Sequence, residues 1–147
     1  MDIMGTTFVE LNDDERRSLF DLAEYGYVFD WTRQSSYKSS TVAALLNGEV
    51  AGLVEFERQP EDQLNHLWLI EVATNYRGTG IAGKLLAYVA KDSIEQGFDG
   101  FVLNEAKTAL HELYITKYGA TPIGKTRLLY FDTEAAQRLI ERYLGGE

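Results

Sequence analysis

No cysteine occurs among the 147 residues, which excludes a disulfide framework, a thiolate metal site and a thiol nucleophile. That usage fits a cytoplasmic protein. Histidine is nearly as scarce: His66 and His111 are the only two, so no metal centre is expected. No run of about 18 apolar residues exists, which removes a membrane span. The first residues, Met1-Asp2-Ile3-Met4-Gly5, lack a basic segment and an apolar segment, so no secretory leader is expected. Basic residues are outnumbered, 14 Lys and Arg against 23 Asp and Glu, for a net charge of −9. This balance predicts no nucleic-acid partner and no membrane partner, and it is compatible with a cationic substrate.

What the chain does have is apolar bulk. A hydrophobic fraction of 45% over this length predicts one domain, residues 1–147, with a real core. Asn12 with Glu15 forms a capping-box pattern, opening a helix whose apolar face is Leu19, Phe20, Leu22 and Ala23 and which ends near Gly26. The aromatic-rich stretch 27–40 reads as a short helix followed by a loop. Asn47-Gly48 between two apolar runs is a hairpin signal. A polar loop is expected over 58–65, then a central strand over 67–73, a turn, and a helix from Gly80 to about Gln96. A strand over 101–103, a helix over 107–118, a short strand or turn over 121–124, a strand over 127–131 and a terminal helix over 133–144 complete the order.

The stretch 67–97 organises the rest. A strand leads through Thr74-Asn75-Tyr76 into Arg77-Gly78-Thr79-Gly80-Ile81-Ala82-Gly83, where a helix begins. The first N–H groups of a helix have no internal partner and carry partial positive charge, so a glycine-rich turn opening a helix binds anions. The letters match G-x-G-x-x-G, the dinucleotide fingerprint, with Glu105 where a ribose-binding acid would sit. Three features oppose that match. Residues 74–77 separate the strand from the first glycine, a hairpin precedes the unit, and 42 residues after Glu105 are too few for the remaining strand–helix units.

Read from Arg77, the same stretch resembles the [Q/R]-x-x-G-x-[G/A] motif of the GNAT superfamily of N-acetyltransferases, with Val72, Tyr76, Leu85 and Leu86 in the family's usual places. The resemblance implies a mixed α/β fold with a central, mostly antiparallel sheet of about six strands. One parallel pair of strands would be splayed, and helices would cover both faces. It implies acetyl-CoA as co-substrate. The pyrophosphate would be held by the backbone of Arg77, Gly78, Thr79, Gly80, Ile81 and Ala82, with Gly83 and Lys84 on the first turn. Pantetheine would lie along Ile70, Glu71, Val72 and Ala73. The expected reaction is direct transfer of an acetyl group to a primary amine, on a small molecule or a peptide, in a ternary complex. A homodimer is left open by the terminal helix.

The family's tyrosine, which protonates the leaving thiolate, maps to Tyr114, although counting back from Gly119 puts Ile115 in that slot and so implies an extra residue in the helix. A general base must take a proton from the amine before attack. Glu71 on the motif strand and Glu55 on its neighbour are the candidates, with His66 and His111 eligible on pKa grounds. The shifted tyrosine also motivates a second reading, a non-catalytic acyl-CoA-binding regulatory domain. The acceptor pocket is expected from residues 25–37, the 58–65 loop and the last strand.

Overall fold

The computed structural model describes residues 5–106 and 108–145. Residues 1–4, read above as lacking a leader pattern, and Lys107, expected to start a helix, lie outside the described residues. The elements are β1 (Thr7–Leu11), α1 (Asp13–Arg17), β2 (Ser40–Leu46), β3 (Glu49–Gln59), β4 (Leu64–Val72), α2 (Ile81–Glu95), β5 (Val102–Glu105), α3 (Thr108–Tyr118), β6 (Thr121–Pro122), β7 (Leu128–Phe131) and α4 (Thr133–Leu144). They build a seven-stranded sheet of order β1-β2-β3-β4-β5-β7-β6, in which β4–β5 is the parallel pair and the other neighbours are antiparallel. The expected sheet of about six strands gains its seventh from the two-residue β6. A mostly antiparallel sheet is incompatible with a doubly wound dinucleotide fold, so the fingerprint reading of the glycines is overturned.

Alternation along the strands splits the core between two faces. Val42, Ala44, Val54, Phe56 and Leu67 pack under α2, α3 and α4. Ala43, Leu53 and Ala73 pack under Leu22, Tyr27 and Trp31. Asn47 and Gly48 both adopt positive φ, 56° and 78°, as the tight turn between β2 and β3 requires. Among the described residues no helix is long and apolar enough to cross a membrane.

Two expected elements differ. The capping box of Asn12 and Glu15 forms, with bonds of 2.9 and 2.8 Å, but α1 stops at Arg17 and a 3₁₀ turn over Leu22–Tyr25 follows it. Ser18 bonds the carbonyl of Asp14 with its hydroxyl, a local contact that competes with helix propagation. Phe20, expected on the buried face, is 80% exposed. The polar loop expected over 58–65 shrinks to a turn, because β3 and β4 pair out to Gln59 and Leu64. Arg58 grips Asp92 of α2 through two bonds of 2.9 and 2.8 Å, and Asn65 donates to Asp92 and to the Val89 carbonyl, each at 3.0 Å. The Asp92 carboxylate raises the Arg58 pKa and pins the second half of α2 to the sheet.

Asp92→Ala leaves the Arg58 guanidinium with only a 3.9 Å contact to Glu10 and the Asn65 amide with only the Val89 carbonyl. It should lower stability by about 2 kcal/mol, read from urea unfolding; a loss below about 0.5 kcal/mol, the range of an ordinary surface change, would show that the pin is dispensable.

Candidate active site

The site begins with a mismatch between β3 and β4. Leu69 pairs with Glu55 and Leu67 with Phe56, so β4 carries one extra residue, Trp68, as a bulge. Its consequence is visible in the amides. Before the bulge, the Asn65 amide donates across the parallel side to Phe101 at 3.1 Å; after it, the Ala73 amide donates to Ala51 on β3 at 2.9 Å. Strict alternation would send residues 65 and 73 the same way. The bulge reverses the phase, so the amides of Ile70 and Val72 face the β5 side.

That side is open. β5 pairs with β4 only over Asn65, His66 and Leu67, opposite Val102, Leu103 and Asn104, and β5 ends at Glu105 while β4 continues to Val72. The parting strands leave a gap edged by backbone donors. Ala73, expected beside pantetheine, is not one of them, because its amide is already held by Ala51 and its side chain is buried in the second core.

At the end of β4 the turn Thr74–Tyr76 leads to Gly78 and Gly80, at φ of 78° and 90°, conformations that glycine adopts at no steric cost. The Thr79 hydroxyl donates to the Tyr76 carbonyl and closes the turn. Gly80 is the N-cap of α2 and no side chain caps the helix, leaving its first amides for a ligand. A Cβ on Gly78 would meet nothing within 4 Å, so the approach is open. Gly83 has another task. A Cβ there would come within 2.3 Å of the Tyr143 ring, so this glycine seats α4 on α2. It was expected among the cofactor residues; its Cβ position is taken by the Tyr143 ring.

Tyr114 lies at the inner end of the gap. It is buried, packs edge-on to Phe131 at 6.4 Å and tilted to Tyr118 at 5.9 Å. Burial pushes its hydroxyl up to about 12; Asn104 opposes the shift and Tyr118 adds to it. Asn104 is the β5 residue level with Leu67, where the strands part. Its Nδ2 is buried without a hydrogen-bond partner, so it stands close to the hydroxyl without completing a bond. The extra residue before Gly119 is absorbed at the helix end, where the Ala120 amide reaches the Tyr114 carbonyl at 3.0 Å. This closure is one residue wider than the usual left-handed helix ending.

The two carboxylates expected as bases are both engaged. Glu71 accepts from the Val28 and Phe29 amides at 2.6 and 3.2 Å and from the Trp31 indole at 2.8 Å. Glu55, 1% exposed, accepts from the Ser35 amide and hydroxyl at 2.6 and 2.8 Å and from the Ser39 hydroxyl at 2.5 Å. Both strap the irregular segment 26–39 to the sheet, where a short helix was expected. Three donors on each carboxylate make Glu55 and Glu71 anchors for that segment. Asn104, Trp68 and Tyr143 are not marked by any motif in the sequence. A bulge leaves no mark in a period-two pattern, and a contact across helices leaves none in spacing.

The model of the acetyltransferase (GNAT) family matches residues 6–119. No curated protein matches the chain in sequence. Among solved structures, a GNAT-family acetyltransferase from Staphylococcus aureus Mu50 aligns at 16% identity and a TM-score of 0.63, covering 88% of this chain and 99% of the other. The ribosomal-protein-S18-alanine N-acetyltransferase of Escherichia coli aligns at 13% and 0.62, over 85% and 89%. AtaT complexed with acetyl-methionyl-tRNAfMet aligns at 16% and 0.68, over 92% and 99%. These likenesses show the fold. They also correct one expectation: AtaT is seen with that tRNA and, as the AtaT–AtaR complex, bound to DNA, so a net charge of −9 does not exclude a nucleic-acid partner for this fold. Net charge is a sum over the whole surface, whereas a partner meets one patch of it.

Gly83→Ala should cost about 1–3 kcal/mol by overpacking Tyr143. In a Tyr143→Ala background the same change should turn neutral or stabilising by up to about 1 kcal/mol, because alanine is the better helix former. A double-mutant cycle by chemical unfolding measures the coupling, and additive effects would refute the contact.

Proposed function

Because the chain belongs to the acetyltransferase (GNAT) family, we propose that it uses acetyl-CoA and passes the acetyl group directly to a primary amine. Family and fold make it an N-acetyltransferase. AtaTR is seen bound with AcCoA in the same fold. One observation carries the proposal: the uncapped start of α2, with Gly78 and Gly80 at positive φ, adjoins a β4 edge that the bulge has turned toward an open gap. A diphosphate fits the first and an extended amide-bearing chain fits the second.

The residues fit the co-substrate in a definite order. The backbone from Arg77 to Ala82 would hold the pyrophosphate on the α2 dipole, and the Val72 amide would hold the pantetheine arm. Bound acetyl-CoA supplies the acetyl group already activated as a thioester. Ile70 offers an amide into the gap where charge develops on the carbonyl oxygen, an oxyanion-hole contribution of about 10²–10³ in rate. The Tyr114 hydroxyl, with its pKa near 12, keeps its proton at neutral pH and is the group that can deliver it to the leaving sulfur. Glu55 and Glu71 hold segment 26–39 in place.

Calorimetry with acetyl-CoA tests this. Saturable binding is expected, Gly80→Trp should abolish it, and Tyr114→Phe should leave it unchanged while lowering kcat about 10²-fold. A wild-type protein that takes up no heat of binding at high micromolar acetyl-CoA would end the proposal.

A further inference from the structure

Beyond the segment strapped by Glu55 and Glu71, the same face of β3 and β4 carries a cluster that the reading above leaves unused. His66 and Trp68 lie ring on ring, with centroids 4.0 Å apart and planes 10° apart. Trp68 is the bulged residue and is 38% exposed. Its indole N–H donates to Glu57 Oε1 at 3.2 Å, and Glu57 is the cross-strand partner of His66. Glu105, the last residue of β5, is close enough to act on the imidazole.

We propose that Trp68, His66, Glu57 and Glu105 form the acceptor platform of the enzyme, and that the acceptor is a cationic primary amine carried on a flat aromatic framework. The proposal rests on the acetyl-transfer reading. The bulge sets Trp68 two residues before Ile70, whose amide faces the gap, so a group lying on the indole is brought to the mouth of that gap. An exposed indole attracts both a stacked ring and a cation. Glu57 on β3 and Glu105 on β5 supply negative charge on either side of β4, which favours an ammonium.

His66 completes the platform as proton acceptor. Burial pushes its imidazole below the ordinary range, and Glu57 from β3 and Glu105 from β5 pull it part of the way back. Burial is the larger effect, so the ring is neutral near pH 7 and free to accept. An N–H bond of the ammonium breaks, an imidazole N–H bond forms, and the lone pair stays on the amine nitrogen. The imidazolium is then held between the two carboxylates until solvent takes the proton.

The two tryptophans make the test direct, because Trp31 is 2% exposed and only Trp68 meets a ligand at the surface. Indole emission is followed while 4-nitrophenethylamine, a quenching aromatic amine, is added to the protein saturated with CoA. Saturable quenching is expected. It should vanish in Trp68→Phe and shift to about tenfold higher concentration in the Glu57→Gln/Glu105→Gln double variant. The alcohol 2-(4-nitrophenyl)ethanol should bind about tenfold more weakly than the amine. Lowering the pH should dim Trp68 as the stacked imidazole charges, and His66→Gln should abolish both that titration and the acid limb of the kcat profile.

Purely collisional quenching, or equal affinity for amine and alcohol, overturns the platform. An acid limb that survives in His66→Gln overturns its role as acceptor. Failure of CoA itself to bind by calorimetry strikes the acetyl-transfer reading instead.

Discussion

The geometry of this protein depends on one extra residue in one strand. Trp68 bulges out of β4 between two well-registered stretches of antiparallel pairing. A strand has a side-chain period of two, so one inserted residue exchanges faces for everything that follows. Leu67 before the bulge packs in the core under α2, and Ile70 and Val72 after it pack against that same core. The amides exchange sides as well, which is why the far half of β4 shows donors to the space beside β5. Parallel pairing there lasts for three residues of each strand. Without the bulge, the Ile70 and Val72 amides would point at β3, and the gap would be lined by the wrong groups.

The face away from α2 is organised by two acids, Glu55 buried and Glu71 half-buried. Glu55 and Glu71 look like catalytic carboxylates in the sequence, because each lies among apolar residues on a strand beside the motif. In the folded chain each is surrounded by three donors from segment 26–39. That segment has no regular structure of its own, and its amides need acceptors once it is laid on the sheet. The glutamates provide them. A carboxylate held by several backbone and side-chain donors is a structural anchor, and the same residue facing an open side would be a base. The difference lies in what covers it, which spacing does not encode.

The three glycines of the motif show a similar division. Gly78 and Gly80 are there for backbone conformation and for an open approach to the helix start. Gly83 is there for the Tyr143 ring, which arrives from a helix that begins 50 residues later in the chain. Tyr143 also stacks near Tyr118 at 6.1 Å, and Tyr118 near Tyr114 at 5.9 Å. A line of rings thus runs from the start of α2 to the inner end of the gap, and α4 is built into the wall of the site.

The sequence by itself determined the family, the order of the elements and the glycine-rich start of α2. Those are local facts: capping residues, Asn-Gly turns and glycines spaced along a few consecutive positions. It also implied an extra residue between Tyr114 and Gly119; in the fold the Ala120 amide closes back on the Tyr114 carbonyl. Tertiary structure alone decided which amides face the gap, which acids are anchors, what Gly83 accommodates, and that His66 and Trp68 stack beside two further acids. Each of these depends on strand register or on a contact between distant segments. A one-residue bulge and a ring laid across a helix change neither composition nor periodicity, so they become visible only when the chain is folded.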